Sequence, residues 1–232
     1  MVTSKKTVNV HTEGQNATTA ETVTPVCDAI RNLADKYARE LHARIEERVE
    51  DMKTDDRSHF LIYRVLGISQ REGELVDVYQ NKGRFLYKYA GSFLEEATIE
   101  CLRRKFPKGK KSHVPNSFGT RPKQYEIDFL NGVDALEIKW RDATTDGDHI
   151  TKEHLRIKSI RKRKLKPIRV MFYYPQREQA KRIQETLKTL YRGVKGEYYS
   201  DDEAWAFIRR YTGIDLKSIL EQIANERELA NA

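Results

Sequence analysis

The sequence contains few cysteines and no long apolar run. Its two cysteines among 232 residues are too few for a disulfide framework or a four-ligand zinc site. No apolar run approaches the roughly 20 residues that cross a bilayer, which excludes an integral membrane protein. The N-terminal segment MVTSKKTVNVHTEGQNATTAE lacks the apolar stretch of a secretory signal. We therefore expect a cytoplasmic protein with no membrane partner.

Positive charge is in excess. The chain has 43 Lys and Arg against 35 Asp and Glu, a formal net charge of +8, and a basic balance favours polyanionic partners. The basic residues concentrate in Arg103–Lys111 and Arg156–Lys166. A solvated helix face or loop would account for such runs, but both flank the motif described below. Their position therefore favours a role in tracking a phosphate backbone.

The chain is expected to form one compact domain built from four segments. The N-terminal arm has no apolar period and is predicted to be loose or disordered. Helical spacing of apolar residues then gives way to a core with strands, and helical spacing returns afterwards. The predicted boundaries are 1–23 for the arm, 24–83 for a helical region, 84–175 for the catalytic core and 176–232 for a C-terminal helical region packed on the core.

Apolar spacing and turn residues place the elements of the core. The helix over 84–105 is expected to break or bend near Gly91, and Asn131-Gly132 marks a hairpin turn between two alternating segments. The order of elements indicates a mixed α/β fold with helical additions at both ends. The other predictions are a strand near 112–114, strands over 125–130 and 134–140, a basic helix over about 150–163, a strand over 168–174, and helices over about 176–192, 201–211 and 215–229.

The two hairpin strands carry charged residues on one face. Successive side chains of a strand point to opposite faces, so Ala135, Glu137 and Lys139 are expected to share a face. With Asn131-Gly132 as a two-residue turn, Asp128 lies opposite Ala135 and diagonal to Glu137. Asp128, Glu137 and Lys139 therefore converge on one side of the predicted sheet. The apolar residues expected on the other faces are Tyr125, Ile127 and Phe129 on the first strand, and Leu136, Ile138 and Trp140 on the second.

Two carboxylates on one rigid surface repel each other unless a positive group lies between them. A hard cation such as Mg²⁺ fits there, because it binds through one or two carboxylates and keeps several waters. A lysine two positions along the same strand could hold or deprotonate a water, or neutralise charge in the transition state. This set supports metal-assisted phosphodiester hydrolysis. The alternative is an exposed hairpin on which the same residues are solvated charges.

The spacing of these residues resembles the PD-(D/E)XK nuclease motif. Asp128 is followed, after eight residues, by Glu137-Ile138-Lys139, with Ile127 where the motif has proline. The order of helix, hairpin, helix and strand over about 84–175 is similar to the core of type II restriction endonucleases. The stretch EIKWRDATTDGDHITKEH further resembles ApaLI-like enzymes. The resemblance implies a restriction-endonuclease-like mixed β-sheet core flanked by helices.

The resemblance also implies roles for individual residues. Asp128 and Glu137 would be metal ligands and Lys139 the catalytic lysine; the predicted Mg²⁺ site comprises Asp128, Glu137 and Ile138. Such enzymes commonly use a further acidic residue on the helix that precedes the sheet. The candidate for this catalytic position is Glu96, from its place at the edge of the buried stripe. The other acids that remain open are Glu95 and Glu100.

The polar loop after Lys139 has two interpretations. Arginine can contact guanine through two hydrogen bonds, and aspartate can accept from a cytosine amino group, so the loop could read bases. A turn followed by a helix with Asp148 as its N-cap explains the same residues equally well. The predicted DNA-binding residues, in the loop and in the basic segments, are Lys110, Lys111, Arg141, Asp142, Thr144, Thr145, Asp146, Asp148, His149, Lys152, Arg161 and Arg163.

The leading hypothesis is a Mg²⁺-dependent type II restriction endonuclease in a prokaryotic cytoplasm. The resemblance implies cleavage of double-stranded DNA at a specific palindromic site, leaving 5′-phosphates, by a homodimer. It also implies a cognate DNA methyltransferase as a partner in the system. We expect the apolar helices near either terminus to form the dimer surface. The alternatives are a structure-directed repair or junction nuclease of the same fold, and a non-enzymatic basic DNA-binding regulator.

Overall fold

The computed structural model describes residues 17–142, 144 and 146–230. A five-stranded mixed sheet is flanked by helices on both faces, which is a restriction-endonuclease-like arrangement. The helices are α1 (Ala17–Thr54), α2 (Phe60–Val65), α3 (Gln70–Lys105), α4 (Asp148–Lys162), α5 (Glu178–Gly193), α6 (Asp202–Thr212) and α7 (Leu216–Ala230). The strands are β1 (Lys110–Pro115), β2 (Gln124–Asn131), β3 (Asp134–Arg141), β4 (Lys166–Tyr173) and β5 (Glu197–Ser200).

The strands follow one another across the sheet in chain order, β1-β2-β3-β4-β5. The pairs β1–β2 and β2–β3 are antiparallel, whereas β3–β4 and β4–β5 are parallel. The parallel pairs are joined through α4 and α5, as parallel strands require a crossover. The candidate hairpin of β2 and β3 therefore lies where the sheet changes from antiparallel to parallel pairing.

Apolar residues cover both faces of the sheet. On one face, called here the α3 side, α1, α3, α6 and α7 pack on residues such as Phe129, Leu136 and Ile138. On the other face, the α4 side, α4 and α5 pack on two smaller clusters, centred on Met171 and Ile127. Because both faces are covered, β4 is buried along almost its whole length.

Helices α1 and α3 lie antiparallel and extend together beyond the sheet. Tyr37 of α1 contacts the rings of Tyr89 and Phe93 of α3 edge to face, with ring centroids 6.2 and 6.0 Å apart. Helix α3 begins with a capping box, in which Ser69 and Glu72 satisfy each other's backbone N–H groups. It runs without interruption to Lys105, so the break expected near Gly91 is absent.

The turn between β2 and β3 lies one residue later than predicted. Asn131 pairs with Asp134, which leaves Gly132 and Val133 as the turn, with Gly132 at φ 57°. Glycine accepts this left-handed conformation without a steric cost. Continued along the strands, this register places Asp128 level with Glu137. The prediction that Asp128 lies opposite Ala135 is therefore wrong.

A β-bulge in β2 changes which way its residues face. Between the pairs Lys110–Leu130 and Ser112–Ile127, β2 contains one more residue than β1. Consequently Ile127 packs on the α4 side, whereas Phe129 packs on the α3 side. The prediction that both share a face is wrong, because simple alternation holds only in a strand without a bulge.

Other elements agree closely with the sequence, with two differences. Strand β5 was not predicted, and α1 includes residues 17–23, which the sequence assigns to the loose arm. The remaining part of that arm, residues 1–16, lies outside the described residues. Within the part of the chain that is described, no helix is both long enough and apolar enough to span a membrane.

Candidate active site

Asp128 lies in the bulged part of β2 and reaches across to β3. Its Oδ2 accepts a hydrogen bond of 2.7 Å from the backbone N–H of Ile138, and the residue is only 6% exposed. The ladder between β2 and β3 has ended at the pair Phe129–Leu136, so the carboxylate takes the place of a backbone acceptor. The N–H and C=O of a strand residue point to the same side. The carbonyl of Ile138 therefore faces the same gap between the strands.

Glu137 is held from two directions. Its Oε2 accepts from Arg156, from Arg169 Nη1 at 3.1 Å and from the Tyr191 hydroxyl at 3.2 Å. Its Oε1 lies 3.1 Å from Lys139 Nζ. Glu137 is 7% exposed, whereas the side chain of Lys139 is 39% exposed. One carboxylate oxygen is thus fixed inside the protein, and the other faces the partly exposed lysine.

A second buried carboxylate, Glu153 of α4, joins this arrangement. Its Oε1 accepts from Tyr191 at 2.6 Å and from Arg156 Nη1 at 3.1 Å, and lies 3.7 Å from Arg169 Nη1. Burial, followed by the charge of Glu153, raises the pKa of Tyr191, so the hydroxyl stays a donor. Two guanidinium groups therefore balance Glu137 and Glu153, which is the condition under which charges are tolerated in a protein interior.

Arg169 extends the network to the loop after β3. Its Nη2 lies 2.6 Å from Asp142 Oδ2, and the same oxygen lies 2.9 Å from His149 Nε2. Burial raises the pKa of Asp142, but the His149 ring and the Arg169 charge outweigh it and hold this pKa well below its usual range. Asp142 is therefore an internal ion-pair partner, and this position does not support the prediction that it reads bases.

The helix α3 acid that interacts electrostatically with Asp128 is Glu95, whereas Glu96 pairs with α1. Burial and the charge of Asp128 raise the pKa of Glu95, while Lys139 lowers it; Glu95 thus lies within the electrostatic reach of both. Glu96 faces α1, where its Oε2 lies 3.6 Å from Lys36 Nζ. Neighbouring helix positions differ by about 100° in direction. Glu96 therefore contacts α1, and Glu95 interacts with the charges at the hairpin. The choice of Glu96 from the edge of the apolar stripe is therefore not supported.

The remaining acid left open, Glu100, pairs along its own helix. Its Oε1 accepts from Arg104 Nε at 2.8 Å, one turn further along α3. Such a pair of neighbours on a helix surface contributes little to stability. The structure thus separates three glutamates that apolar spacing alone could not distinguish: Glu95 towards the hairpin, Glu96 towards α1 and Glu100 towards Arg104.

Most predicted DNA-binding residues lie at the surface. Lys111 Nζ is 2.7 Å from Glu126 Oε1, and Arg141 donates to the hydroxyl of Tyr87 at 3.0 Å. Arg161 donates to the carbonyl of Leu165 at 3.1 Å. Three further residues of the predicted set are exposed to solvent: Lys110, Lys152 and Arg163.

The loop after β3 is organised by its own short side chains. Asp142 accepts from the N–H of Thr144, Thr144 from that of Asp146, and Asp146 from that of Asp148, at 3.0–3.2 Å. These local bonds are typical of turns. Gly147 is the N-cap of α4, so the alternative with Asp148 as the cap is wrong. Thr145 lies outside the described residues.

The donors at the hairpin fit a hard cation. Asp128, Glu137 and the carbonyl of Ile138 offer oxygen atoms only, and Lys139 is the positive group at Glu137 Oε1. Mg²⁺ binds through one or two carboxylates and retains several waters, so this small set is sufficient. Within the described residues, no three His, Cys, Asp or Glu side chains are grouped as a metal site by themselves; any cation here would depend on the carbonyl and water.

Sequence reasoning missed the residues that hold Glu137. Arg169 lies in the strand that apolar residues predict over 168–174, and Arg156 lies in a basic run. One signal was available: a lone arginine inside a buried strand must pair with a buried carboxylate. Tyr191 and Glu153 carried no such signal, because their spacing along the helices is ordinary.

The mixed sheet, with a carboxylate–carboxylate–lysine set on its hairpin, defines a restriction-endonuclease-like nuclease fold. The family described as ApaLI-like restriction endonuclease matches residues 16–225. The chain belongs to this family of restriction endonucleases, whose substrate is DNA. Comparison with curated proteins gave no match, and comparison with solved structures gave none either.

Proposed function

We propose that this chain is a Mg²⁺-dependent type II restriction endonuclease. It hydrolyses phosphodiester bonds of double-stranded DNA at a specific palindromic site and leaves 5′-phosphates. The observation that carries the proposal is the meeting of Asp128, Glu137 and Lys139 at the β2–β3 hairpin, where Asp128 bonds to Ile138 at 2.7 Å and Lys139 lies 3.1 Å from Glu137. Membership of the restriction endonuclease family supports it.

Each residue of the hairpin has a distinct proposed task. Asp128, Glu137 and the Ile138 carbonyl hold Mg²⁺, which when bound polarises the phosphoryl oxygen and lowers the pKa of water. Lys139 places its ammonium where negative charge develops, or orients the attacking water. The water oxygen bonds to phosphorus, the bond to the 3′-oxygen breaks, and the proton ends on that leaving group. The products are a 5′-phosphate and a 3′-hydroxyl.

In this proposal Glu95, and not Glu96, is the acidic residue that α3 contributes to the active site. Its half-buried carboxyl lies in the field of Asp128, Lys111 and Lys139. A carboxyl whose pKa is raised by such surroundings is typical of a functional site. We assign it to the bound metal or to the water around the metal, and leave Glu96 as a partner of Lys36.

DNA contact is proposed for the exposed basic residues around the hairpin. Lys110, Lys152 and Arg163 are among the exposed cations of the predicted set, and cations of this kind bind phosphates without reading sequence. The proposed base reader is Arg141, which is the last residue of β3 and donates a hydrogen bond to Tyr87. A homodimer matches a palindromic site by symmetry, and a cognate methyltransferase is the proposed partner in the system.

The test is a digest of plasmid and phage DNA by the purified chain with Mg²⁺ or with EDTA, alongside Lys139→Ala. Discrete fragments that require Mg²⁺ and decrease by roughly 100-fold or more in the variant support the proposal. The matched control is Lys217→Ala, because Lys217 of α7 pairs with Asp202 of α6 and contacts neither hairpin strand. Ligation of the fragments with and without phosphatase treatment reports whether the ends carry 5′-phosphates.

Other outcomes identify the alternatives. A Mg²⁺-dependent smear, or preference for branched DNA, would indicate a structure-directed or nonspecific nuclease. Intact DNA on several unmethylated substrates, together with binding that is indifferent to Mg²⁺ and to Lys139→Ala, would indicate a DNA-binding regulator. Either result contradicts the proposed site-specific cleavage.

A further inference from the structure

The exposed apolar side chains of this protein are concentrated in one place. Of the fourteen large hydrophobic residues that the described chain exposes, ten lie within residues 61–87, on α2, the first half of α3 and the connection between them. We call this surface the α2–α3 face; its members include Leu61, Val65, Val76, Tyr79, Leu86 and Tyr87. Scattered exposed hydrophobics are normal, but a cluster of this kind marks an interaction site.

The size of the α2–α3 face matches a protein interface. Its ten residues are each between 37% and 73% exposed, which corresponds to about 1,000 Å² per chain, compared with the 300–600 Å² of the largest apolar patch on a typical monomer. A stable interface buries about 800 Å² on each partner. The face is therefore large enough to form a stable interface without contribution from the rest of the chain.

Two possible occupants are disfavoured by their chemistry. Residues 1–16 of the same chain contain only four apolar side chains, Met1, Val2, Val8 and Val10, and these are too few to cover such an area. DNA is bound by cations that neutralise its phosphates, whereas the ten residues that define the face are leucine, isoleucine, valine and tyrosine. The exposed cations of the same segment lie beside them, as Lys82 does with its Nζ 5.8 Å from the centroid of the Tyr79 ring. The occupant must instead present an apolar surface of similar size.

The pattern along α3 fits a second copy of the same helix. Val76, Tyr79, Gly83 and Leu86 follow one another at intervals of three, four and three, the spacing of a helix seam. A Cβ added at Gly83 would have no neighbour within 4 Å, so Gly83 forms an open notch on this surface. The positions are symmetric about residue 81: Tyr79 and Gly83 lie at equal distances from it, as do Val76 and Leu86.

We infer that the α2–α3 face is the self-association surface of this protein, with α3 packed antiparallel on α3 of a second copy. In this arrangement Tyr79 lies opposite Gly83 of the partner subunit, and Val76 lies opposite Leu86 of the partner subunit. Each large side chain in the centre then meets a notch, and the contact is the same from both sides, as a two-fold axis requires. The inference rests on the homodimer of the proposed function, not on its chemistry.

The same surface continues to the candidate active site. Tyr87, at its end, lies with its ring centroid 5.1 Å from that of Trp140 and accepts a hydrogen bond from Arg141 at 3.0 Å. These residues directly follow Lys139 on β3. Self-association would thus bury Tyr87 and fix the strand end that carries the proposed base reader.

The test is sedimentation velocity of the full chain over a concentration series, with the variants Val76→Glu and Gly83→Glu. We expect a dimeric wild type, and a dissociation constant raised at least about tenfold in either variant, since a central interface position then holds an unpaired charge. The matched control, Leu229→Glu, places the same charge on an exposed leucine of α7 and should leave the dimer unchanged. Gly83→Glu also removes a helix glycine, so the monomer should not lose helicity in circular dichroism.

Three outcomes would overturn the inference: a wild type that is monomeric at every concentration, a dimer that is insensitive to both variants, or equal disruption by Leu229→Glu. Loss of DNA binding by Val76→Glu in a chain that is always monomeric would mean that the face contacts DNA, which also overturns it. Cleavage is measured separately. Lys139→Ala should dimerise as the wild type does. A wild type that dimerises but does not cleave contradicts only the proposed function, and a wild type that cleaves but stays monomeric contradicts only this inference.

Discussion

Arg169 and Glu137 face each other as direct neighbours on β4 and β3, with Arg169 Nη1 3.1 Å from Glu137 Oε2. The arginine is completely buried, so its charge is balanced only by protein groups. Its other nitrogen, Nη2, lies 2.6 Å from Asp142. One guanidinium group thus orients a proposed metal ligand and anchors the loop that follows β3.

The first prediction concerns the stability that this pairing provides. Arg169→Met should lower the free energy of unfolding by about 3–5 kcal/mol, because it leaves buried carboxylates without their partner. The measurement is urea denaturation at neutral pH. Arg209→Met is the control: Arg209 pairs with Asp215 at 3.3 Å on an exposed part of α6, and should cost at most about 1 kcal/mol. Equal effects of the two variants would contradict the role assigned to Arg169.

Much of the fold could be predicted because local pattern and tertiary structure agree. The alternation of β2 and β3, the glycine at their turn and the prolines around β4 place these elements within a few residues of their observed bounds. Strand β5 could not be predicted, since its four residues are too few to show a period. Its position follows from pairing with β4, which is a tertiary property.

The candidate site was predictable only in part. The motif pointed to Asp128, Glu137 and Lys139, but the bulge that brings Asp128 to Ile138 depends on the pairing of β2 with β1. The choice between Glu95 and Glu96 depends on where α1 packs. Both features arise from contacts between elements distant in the chain, which a single sequence does not specify.

The second prediction separates the two neighbouring glutamates. Glu95→Gln should lower the rate of DNA cleavage at least about tenfold, because it removes a carboxylate from the proposed metal environment. Glu96→Gln changes contacts with α1 alone, the partly exposed pair with Lys36 at 3.6 Å and the hydrogen bond with Tyr37, and should cleave as the wild type does. The measurement is single-turnover cleavage over a range of Mg²⁺ concentrations. A loss confined to Glu96→Gln would return the role to that residue.

The third prediction is a pH dependence of stability. The pKa of Asp142 lies below its ordinary value of 3.8, in spite of burial, because of His149 and Arg169. The stabilisation therefore is fully present above pH 3.8 and is lost as the pH falls through the depressed pKa. Asp142→Asn should be less stable than the wild type by about 2 kcal/mol at neutral pH, and this difference should shrink only below about pH 4.

Denaturation of both proteins between pH 7 and pH 2.5 checks this prediction. The comparison cancels the other carboxylates, which the two proteins share, and the asparagine can still accept from the N–H of Thr144 as Asp142 Oδ1 does. A difference that stays constant down to the lowest pH, or that disappears well above pH 4, would show that the Asp142 charge does not provide the stabilisation.

The last prediction links packing to β2, which carries Asp128. A Cβ added at Gly109, in the connection from α3 to β1, would lie 2.2 Å from the ring of Phe129. Phe129 is fully buried and cannot move aside, so Gly109→Ala should destabilise the protein by about 1–3 kcal/mol through overpacking. Because Phe129 follows Asp128 in the bulge, the same change should also slow DNA cleavage.

Gly193→Ala is the matched control, since its Cβ would meet no atom within 4 Å. This variant should leave both the unfolding free energy and the cleavage rate close to those of the wild type. Identical behaviour of Gly109→Ala and Gly193→Ala would contradict the contact between Gly109 and Phe129.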